Sequence, residues 1–436
     1  MDRWITLGVS AAFAFLSAVS VPAVSWASAP DPLPRVKPET VGFSAERLER
    51  LTRGMHAPVD AKQLTGMVTM VTRHGKLVYT DVYGVKDFGT QQPMTADTIF
   101  QIYSMTKPMT GVAMMMLLEE GKWLPGDPIA KHVPELKGVK VFAGVDAQGR
   151  PLYEQPAHAP TMGELMSHTA GFTYGLFGNS PVDKMYGEVA PLDAQSMPDF
   201  IARLSKLPLA YQPGKKWVYS LSVDLQGYIV EKLSGKSLPD FMRERIFEPL
   251  GMKDTAFFVP IEKMPRLATI YAPNASGALE AQPHEAGVSR LPGFASGGGG
   301  LYSTAGDYLR FAQMLANGGQ LNGVRLLAPR TVELMRANHL SPELMTGEFS
   351  IGQQRMRPGF GFGYDVAVYE NPEVAGSPVG KGTFLWDGAA GTWFWVDPTH
   401  DIVFVGMIQR RAGPGIPSTE YLSGPLTMQA LIDPSR

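Results

Sequence analysis

The sequence predicts an α+β fold, an α/β sandwich in which helices flank an antiparallel sheet and an all-helical domain is inserted into the chain. Three observations predict it. β-rich runs occur near both ends of the 436-residue chain, short helical patterns dominate from about residue 120 to 290, and an apolar helical pattern follows the first β runs. The predicted sheet domain comprises residues 30–118 and 291–436, and the predicted insert comprises 119–290.

The first 29 residues have the pattern of a removable secretory signal peptide. Arg3 precedes an apolar run over residues 5–24, and small residues follow at 25–29. We therefore expect a periplasmic or secreted protein with no stable membrane association after cleavage. The alternative is an uncleaved anchor helix, because the run is just long enough to span a bilayer.

The remaining elements are predicted from capping residues and periodicity. Ser44 can cap an amphipathic helix, and β-rich runs at 66–72 and 77–83 enclose a Gly-containing turn, which predicts a hairpin. Thr161 opens a capping box, and Thr304 begins another amphipathic helix. Further elements are expected as helices over 198–207, 223–233, 238–247 and 423–432, and as strands over 383–386, 391–396 and 402–408.

The composition excludes several classes of protein. The formal net charge is −2 and no basic stripe occurs, so nucleic acid is not an expected partner. Cysteine is absent, which excludes disulfides, a thiol nucleophile and a zinc–thiolate site. The eight histidines lack ligand spacing such as H-E-x-x-H, and neither a P-loop nor a G-x-S-x-G motif occurs. We therefore expect neither a metal nor a cofactor.

Ser104 and Lys107 are the first candidates for catalysis. On a helix, their spacing places both side chains on one face, one turn apart. A serine hydroxyl is a weak nucleophile until a base takes its proton, and a partly desolvated lysine can be that base. Pro108 and the apolar run from Val112 indicate that the serine begins a buried helix. Taken alone, S-x-x-K fits a capping serine with a surface lysine better than it fits a catalytic pair.

Three other stretches can contribute to a site. Tyr219 lies where a helix is predicted to begin, and a tyrosine near an ammonium group can act as base and then as acid, although it also fits a core position. Residues 385–391 fit either a strand whose N–H groups form an oxyanion hole or a tight bend. Residues 296–302 allow close backbone approach or form a flexible loop. His168 fits a turn at a helix end better than a catalytic role.

Five motifs occur in one order along the chain. They are Ser104-Met-Thr-Lys107, Leu165-Met-Ser-His-Thr-Ala-Gly171, Tyr219-Ser220, Gly298-Gly-Gly-Leu-Tyr-Ser-Thr304 and Trp386-Asp-Gly388. With these motifs the chain resembles the serine β-lactamase/penicillin-binding-protein superfamily in its class C-like branch, and most resembles the family VIII carboxylesterases. The resemblance extends from about residue 35 to the C-terminus and implies a β-lactamase/transpeptidase-like fold.

The resemblance also implies roles. Ser104 matches the acylated serine, Lys107 the lysine that activates it, and Tyr219 the tyrosine that shuttles the proton. Trp386 and Gly388 fall where family VIII esterases carry Trp-x-Gly, and the N–H of Ala389 would pair with that of the serine to hold the oxyanion. The substrate pocket is expected to be shaped by the insert and by aromatic side chains, namely Tyr103, Tyr302, Phe360 and Trp386.

Two departures from β-lactamases point towards esters. Leu221 replaces the asparagine of the Tyr-x-Asn motif, which removes an amide that would bind a β-lactam side chain. Trp386 replaces the lysine of Lys-Thr-Gly, and losing one charge-assisted contact to a substrate carboxylate costs roughly 1.5–3 kcal/mol. A neutral ester has no carboxylate to lose. Lys381 is close in sequence and is a candidate substitute for the missing lysine.

The sequence thus predicts a serine carboxylesterase that hydrolyses short- to medium-chain esters through a Ser-Lys-Tyr acyl-enzyme mechanism, with a small-molecule ester as its partner. The alternatives are a β-lactamase or D-Ala-D-Ala carboxypeptidase on the same fold, an acyltransferase, and a non-enzymatic penicillin-binding-like protein. The natural ester, the oligomeric state, and the choice between Lys107 and Tyr219 as primary base stay open.

Overall fold

The computed structural model describes residues 1, 31–284, 287–345, 349–351, 354–356, 358–415 and 417–436. The predicted signal peptide, apart from Met1, lies outside these residues and stays a prediction. Within the described ranges, no helix combines the length and the apolar character needed to cross a membrane.

Helices and strands alternate irregularly along the described chain. The helices are α1 (Ala45–Asp60), α2 (Lys107–Glu119), α3 (Ile129–His132), α4 (Met162–Met166), α5 (Pro181–Val189), α6 (Met197–Leu204), α7 (Ser222–Ser234), α8 (Leu238–Met242), α9 (Glu248–Leu250), α10 (Ala305–Ala316), α11 (Pro329–Arg336), α12 (Pro342–Met345) and α13 (Thr419–Met428). The strands are β1 (Gly66–Arg73), β2 (Lys76–Gly84), β3 (Phe100–Gln101), β4 (Val141–Val145), β5 (Pro151–Glu154), β6 (Tyr271–Pro273), β7 (Leu279–Ala281), β8 (Tyr302–Ser303), β9 (Gln320–Leu321), β10 (Val324–Arg325), β11 (Phe349–Ile351), β12 (Gln354–Met356), β13 (Phe360–Phe362), β14 (Ala367–Tyr369), β15 (Phe384–Asp387), β16 (Trp393–Asp397) and β17 (Ile402–Met407).

Strands from both ends of the chain form one antiparallel sheet in the order β13-β14-β15-β16-β17-β1-β2. The two ends of the chain meet where β1 pairs with β17, with Met70 opposite Val405. The β1–β2 turn places His74 and Gly75 at φ of 52° and 69°, as a two-residue hairpin turn requires. The predicted antiparallel sheet, assembled from both ends of the chain, is confirmed.

Helices cover both faces of this sheet, which is why β1 is buried along its whole length. On one face, Leu51 of α1 packs in a core cluster with Phe404 of β17, next to α13. On the other face, Met109 of α2 and Phe311 of α10 share a cluster with Val405. Adjacent residues of β17 therefore point to opposite cores, as strand geometry dictates.

The predicted helix starts at Ser44, Thr161 and Thr304 are confirmed by the cap geometry. Each side-chain oxygen accepts a hydrogen bond from the backbone N–H three residues later, and the Thr161 site is a complete capping box. The helix predicted over 238–247 is not one regular α-helix. A π-helical turn at Arg243–Phe247 follows α8 directly and leads into α9.

The region from 119 to 290 is mainly helical, but the expectation that it is all-helical is wrong in detail. Two small antiparallel hairpins, β4–β5 and β6–β7, lie within it. Strand β5 is exposed at every position. Such strands lack the alternation of apolar and polar residues by which a sequence predicts a strand.

Candidate active site

Ser104 lies in a 3-10 turn, Tyr103–Thr106, and Lys107 is the first residue of α2. Pro108 follows in the first turn, where a backbone N–H has no partner within the helix. Every residue of α2 from Lys107 to Leu117 is buried. The helix is apolar on all sides because it lies in the interior, against α7 and in the core cluster that includes Val405 of β17.

Two polar side chains meet at the hydroxyl of Ser104. Lys107 Nζ lies 3.1 Å from Ser104 Oγ. The Tyr219 hydroxyl donates a hydrogen bond to the same oxygen at 2.6 Å. Lys107 Nζ also donates a hydrogen bond to the carbonyl oxygen of Gly298 at 2.7 Å, which holds the amine next to the serine. The structure therefore brings together the three residues that the motifs single out.

The amine of Lys107 is poised to exchange a proton. Burial lowers the pKa of Lys107 to about 8, against the opposing effect of three carboxylates, Asp224, Asp365 and Asp387. The side chain is completely buried, and its ammonium form gains partial compensation from the Tyr219 ring, whose centroid lies 4.6 Å from Nζ. A minor fraction of this lysine is thus neutral at pH 7, and the neutral form can accept the serine proton.

Tyr219 is held as a neutral phenol. Burial raises the pKa of Tyr219 above its usual range, and hydrogen bonding to Ser104 opposes that shift only in part. Aromatic rings surround it, with centroids 5.2 to 6.3 Å away, from His168, Tyr174, Phe177, Trp217 and Trp386. This packing fixes the ring, so its hydroxyl can donate or relay a proton at a defined position.

Asp224 of α7 is a site residue that the sequence did not single out. Its carboxylate accepts hydrogen bonds from the Ser296 hydroxyl and, at 3.1 Å, from the Gly298 N–H. A side chain at Gly298 would place its Cβ 2.6 Å from this carboxylate, so only glycine permits the approach. Because the carbonyl oxygen of Gly298 accepts a hydrogen bond from Lys107, Asp224 positions the lysine indirectly, through Gly298. The sequence signal that could have identified Asp224 is an acidic residue within a largely apolar predicted helix.

His168 has a structural role in the described chain. It follows α4 at φ 57°, and its Nδ1 accepts a hydrogen bond from the Ser220 N–H at 3.3 Å. Burial lowers the pKa of His168 well below its usual value, so the imidazole is neutral. It thereby anchors the residue that follows Tyr219, in agreement with the prediction of a histidine tied to a turn at a helix end.

A cavity of about 530 Å³ opens above Ser104. Four of the predicted site residues, Tyr103, Tyr219, Tyr302 and Ala389, line it together with the serine. Its other walls are mostly apolar and aromatic, formed by Tyr174, Leu176, Phe177, Leu192, Phe257, Val288, Pro292 and Phe294. Six of these eight side chains come from the region between 119 and 290, which was expected to shape the pocket, and Pro292 and Phe294 come from the loop that follows.

Trp386 and Gly388 do not lie on this cavity wall, which corrects the expectation that they bind substrate. Trp386 is 3% exposed and packs behind Tyr219 and against Phe362. A Cβ at Gly388 would lie 2.3 Å from the carbonyl oxygen of Ile102, so glycine lets the β15–β16 turn approach the serine segment. Both residues position the site. Phe360, also expected in the pocket, instead packs on Tyr369 of the neighbouring strand.

Among the described residues, no group of three or more His, Asp or Glu side chains is arranged to hold a metal ion. Two of the three acidic side chains near Lys107 are buried: Asp365 accepts a hydrogen bond from Gln226 at 3.1 Å, and burial raises the pKa of both Asp224 and Asp365. The polar side chains that meet at the nucleophile are those of the serine, the Lys107 amine and the Tyr219 phenol.

The chain is similar to known proteins over most of its length. Residues 49–421 match the protein family described as Beta-lactamase. The chain is similar to the Mycobacterium tuberculosis protein Rv1367c, with 38% identity over 370 residues that cover 84% of this chain and 90% of that protein. It is similar to esterase EstB of Burkholderia gladioli, with 29% identity over 389 residues that cover 84% and 90%. It is also similar to the solved structure of EstCE1, a hydrolase with promiscuous acyltransferase activity, with a TM-score of 0.71, 26% identity, and coverage of 89% of this chain and 98% of that one.

Proposed function

Because this chain belongs to the Beta-lactamase family, we propose that it is a serine carboxylesterase that hydrolyses short- to medium-chain esters through an acyl-enzyme on Ser104. The family and the relative named as an esterase support a hydrolase, and they confirm the resemblance drawn from the motifs. The observation that carries the finer proposal is the contact of both Lys107 Nζ and the Tyr219 hydroxyl with Ser104 Oγ.

Acylation begins when neutral Lys107 accepts the Ser104 proton and Oγ attacks the ester carbonyl carbon. The N–H groups of Ser104 and Ala389 stabilise the oxyanion of the tetrahedral intermediate. When the C–O bond to the alcohol breaks, the proton held by Lys107 is returned to the departing oxygen, with the Tyr219 hydroxyl as the relay. The products of this step are the free alcohol and the Ser104 ester.

Deacylation repeats these steps with water as the nucleophile. Neutral Lys107 accepts the proton from water as the water attacks the acyl carbonyl, with the Tyr219 hydroxyl as the relay, and the proton returns to Ser104 Oγ when the acid leaves. Leu221, which stands where β-lactamases have asparagine, is completely buried. The site thus offers no amide there for a β-lactam side chain, which supports esters as the preferred substrates.

The Ser104→Ala variant tests the proposal. Wild-type protein is expected to hydrolyse 4-nitrophenyl butyrate faster than nitrocefin, and to be labelled by a fluorophosphonate probe. Ser104→Ala, checked for folding by circular dichroism, should lose both ester hydrolysis and labelling. Turnover near the wild-type rate in a folded Ser104→Ala protein would refute the assignment, whereas a preference for nitrocefin would favour the β-lactamase alternative.

Acyl transfer is a second candidate reaction, since the similar hydrolase EstCE1 has promiscuous acyltransferase activity. The same acyl-enzyme serves both reactions, and the acceptor decides between them. Addition of an alcohol or amine during turnover distinguishes them, because a transferase would form the new ester or amide faster than the free acid.

We also propose that the mature protein acts in the periplasm or outside the cell. The support is the N-terminal sequence pattern alone: a basic residue, an apolar run and small residues at 25–29. N-terminal sequencing of protein recovered from the periplasm or medium of an expressing bacterium would test cleavage in that segment.

A further inference from the structure

The cavity above Ser104 contains two arginines, and we propose that it selects esters that carry a free carboxylate. Arg411 and Arg290 both line the cavity. This inference rests on the proposed esterase function and names its substrate class. The carboxylate can belong to the acyl group or to the alcohol, and both sources present the same planar anion to a guanidinium.

Arg411 is held close to the nucleophile. Its Nη2 donates a hydrogen bond to the Tyr103 hydroxyl at 2.6 Å, and its Cζ lies 4.4 Å from the centroid of that ring. Tyr103 immediately precedes Ser104 and lines the same cavity. The guanidinium is therefore held in place by stacking and by one hydrogen bond. Between described residues its side chain makes no further hydrogen bond, so its other N–H donors can bind a ligand.

Neither arginine has a carboxylate partner in the described part of the chain. Of the ion pairs between described residues, none includes Arg290 or Arg411. Among the described residues that line the cavity, the acidic one is Asp224, which is 1% exposed and accepts hydrogen bonds from Ser296 and Gly298. Asp224 raises the pKa of Lys107, so its negative charge is coupled to that amine, and the two guanidinium groups add positive charge to the cavity wall.

Arg411 places a cation on the cavity wall although Trp386 stands where β-lactamases carry a lysine. Lys381, the candidate substitute in the sequence, is exposed and does not line the cavity. Arg411 instead follows β17 and reaches the site from a different element of the sheet. A guanidinium binds a carboxylate through two parallel hydrogen bonds, which gives orientation as well as affinity. The substrate is thus expected to be an ester with a carboxylate at a fixed distance from the scissile bond.

The experiment compares matched esters on the full-length mature protein. For the acyl side, the pair is mono-4-nitrophenyl adipate and 4-nitrophenyl hexanoate, in which a carboxylate replaces a methyl group. For the alcohol side, the pair is the butyrate ester of 4-hydroxybenzoate and that of 4-hydroxybenzamide. The variants are Arg411→Gln, Arg290→Gln and, as matched control, Arg330→Gln, whose side chain is 89% exposed on α11.

We expect the wild type to favour the anionic ester of at least one pair by about tenfold or more in kcat/KM. Arg411→Gln should reduce kcat/KM for that anionic ester by about 10- to 100-fold and change the neutral ester less than about threefold. Arg290→Gln should have a smaller effect in the same direction, and Arg330→Gln none. Tyr103→Phe, which keeps the cation but removes its anchoring bond, should show an intermediate loss.

Equal ratios of anionic to neutral kcat/KM in wild type and Arg411→Gln, for both pairs, would overturn the inference while leaving the esterase intact. A preference of the wild type for the neutral members would do the same. If Ser104-dependent hydrolysis of every ester is absent, the proposed function itself fails. The two failures are therefore distinguishable.

Discussion

The base that activates Ser104 determines how ester hydrolysis depends on pH. Burial lowers the pKa of Lys107 to about 8. The neutral fraction of such a group is about 0.09 at pH 7 and about 0.91 at pH 9. If neutral Lys107 is the base, kcat/KM for a neutral ester should rise about tenfold from pH 7 to pH 9 and then level off.

A Tyr219 phenolate as the base would give a different profile. Because burial raises the pKa of Tyr219 above its usual value near 10, its ionised fraction would still be increasing at pH 10. The two mechanisms thus differ most between pH 9 and pH 10, where the first predicts a plateau and the second a continued rise.

The assay is initial-rate hydrolysis of 4-nitrophenyl butyrate, followed at the isosbestic wavelength of 4-nitrophenol. The Ser104→Ala protein supplies the background, since hydroxide alone hydrolyses the ester faster at high pH. Circular dichroism at each pH confirms that the fold persists. A kcat/KM that rises with unit slope through pH 10, or one that is flat from pH 7 to pH 9, would refute neutral Lys107 as the base.

Three further substitutions test the contacts around the nucleophile. Tyr219→Phe removes the hydroxyl 2.6 Å from the serine oxygen, so kcat/KM should fall about 10²-fold with little change in Tm; a loss under about threefold would contradict the relay. Asp224→Asn removes a charge that raises the pKa of the buried lysine, so the pH limb of kcat/KM should move to lower pH; no shift would contradict the coupling. Gly388→Ala puts a methyl 2.3 Å from a backbone carbonyl and should destabilise the fold by about 1–3 kcal/mol. Gly126→Ala meets no heavy atom within 4 Å and should leave Tm unchanged.

The parts of the fold with a local signal were predictable from the sequence. The β1–β2 hairpin and the β16–β17 hairpin are observed close to the predicted ranges, because long apolar runs on either side of a turn identify strands. The capped helices likewise begin where the sequence places a capping side chain. Strand β5 was missed because four exposed residues carry no periodic pattern.

The candidate site was predicted in part. One-turn spacing was enough to associate Ser104 with Lys107, but Tyr219 required the resemblance to a family, since nothing in the sequence brings it near residue 104. Asp224 and Arg411 were missed for the same reason: each reaches the site through the packing of a separate element. Trp386 was placed in the correct region but on the wrong side of Tyr219.

By itself the sequence determined the local elements, the Ser-Lys spacing and the family, because these depend on residues near one another or on motifs in order. Only the tertiary structure decided the protonation behaviour of the site. The pKa of Lys107 depends on its complete burial beside Asp224, Asp365 and Asp387, which belong to three different segments. Desolvation and charge act through space, so the same Ser-x-x-Lys on an exposed helix would have an ordinary, protonated lysine and an inert serine.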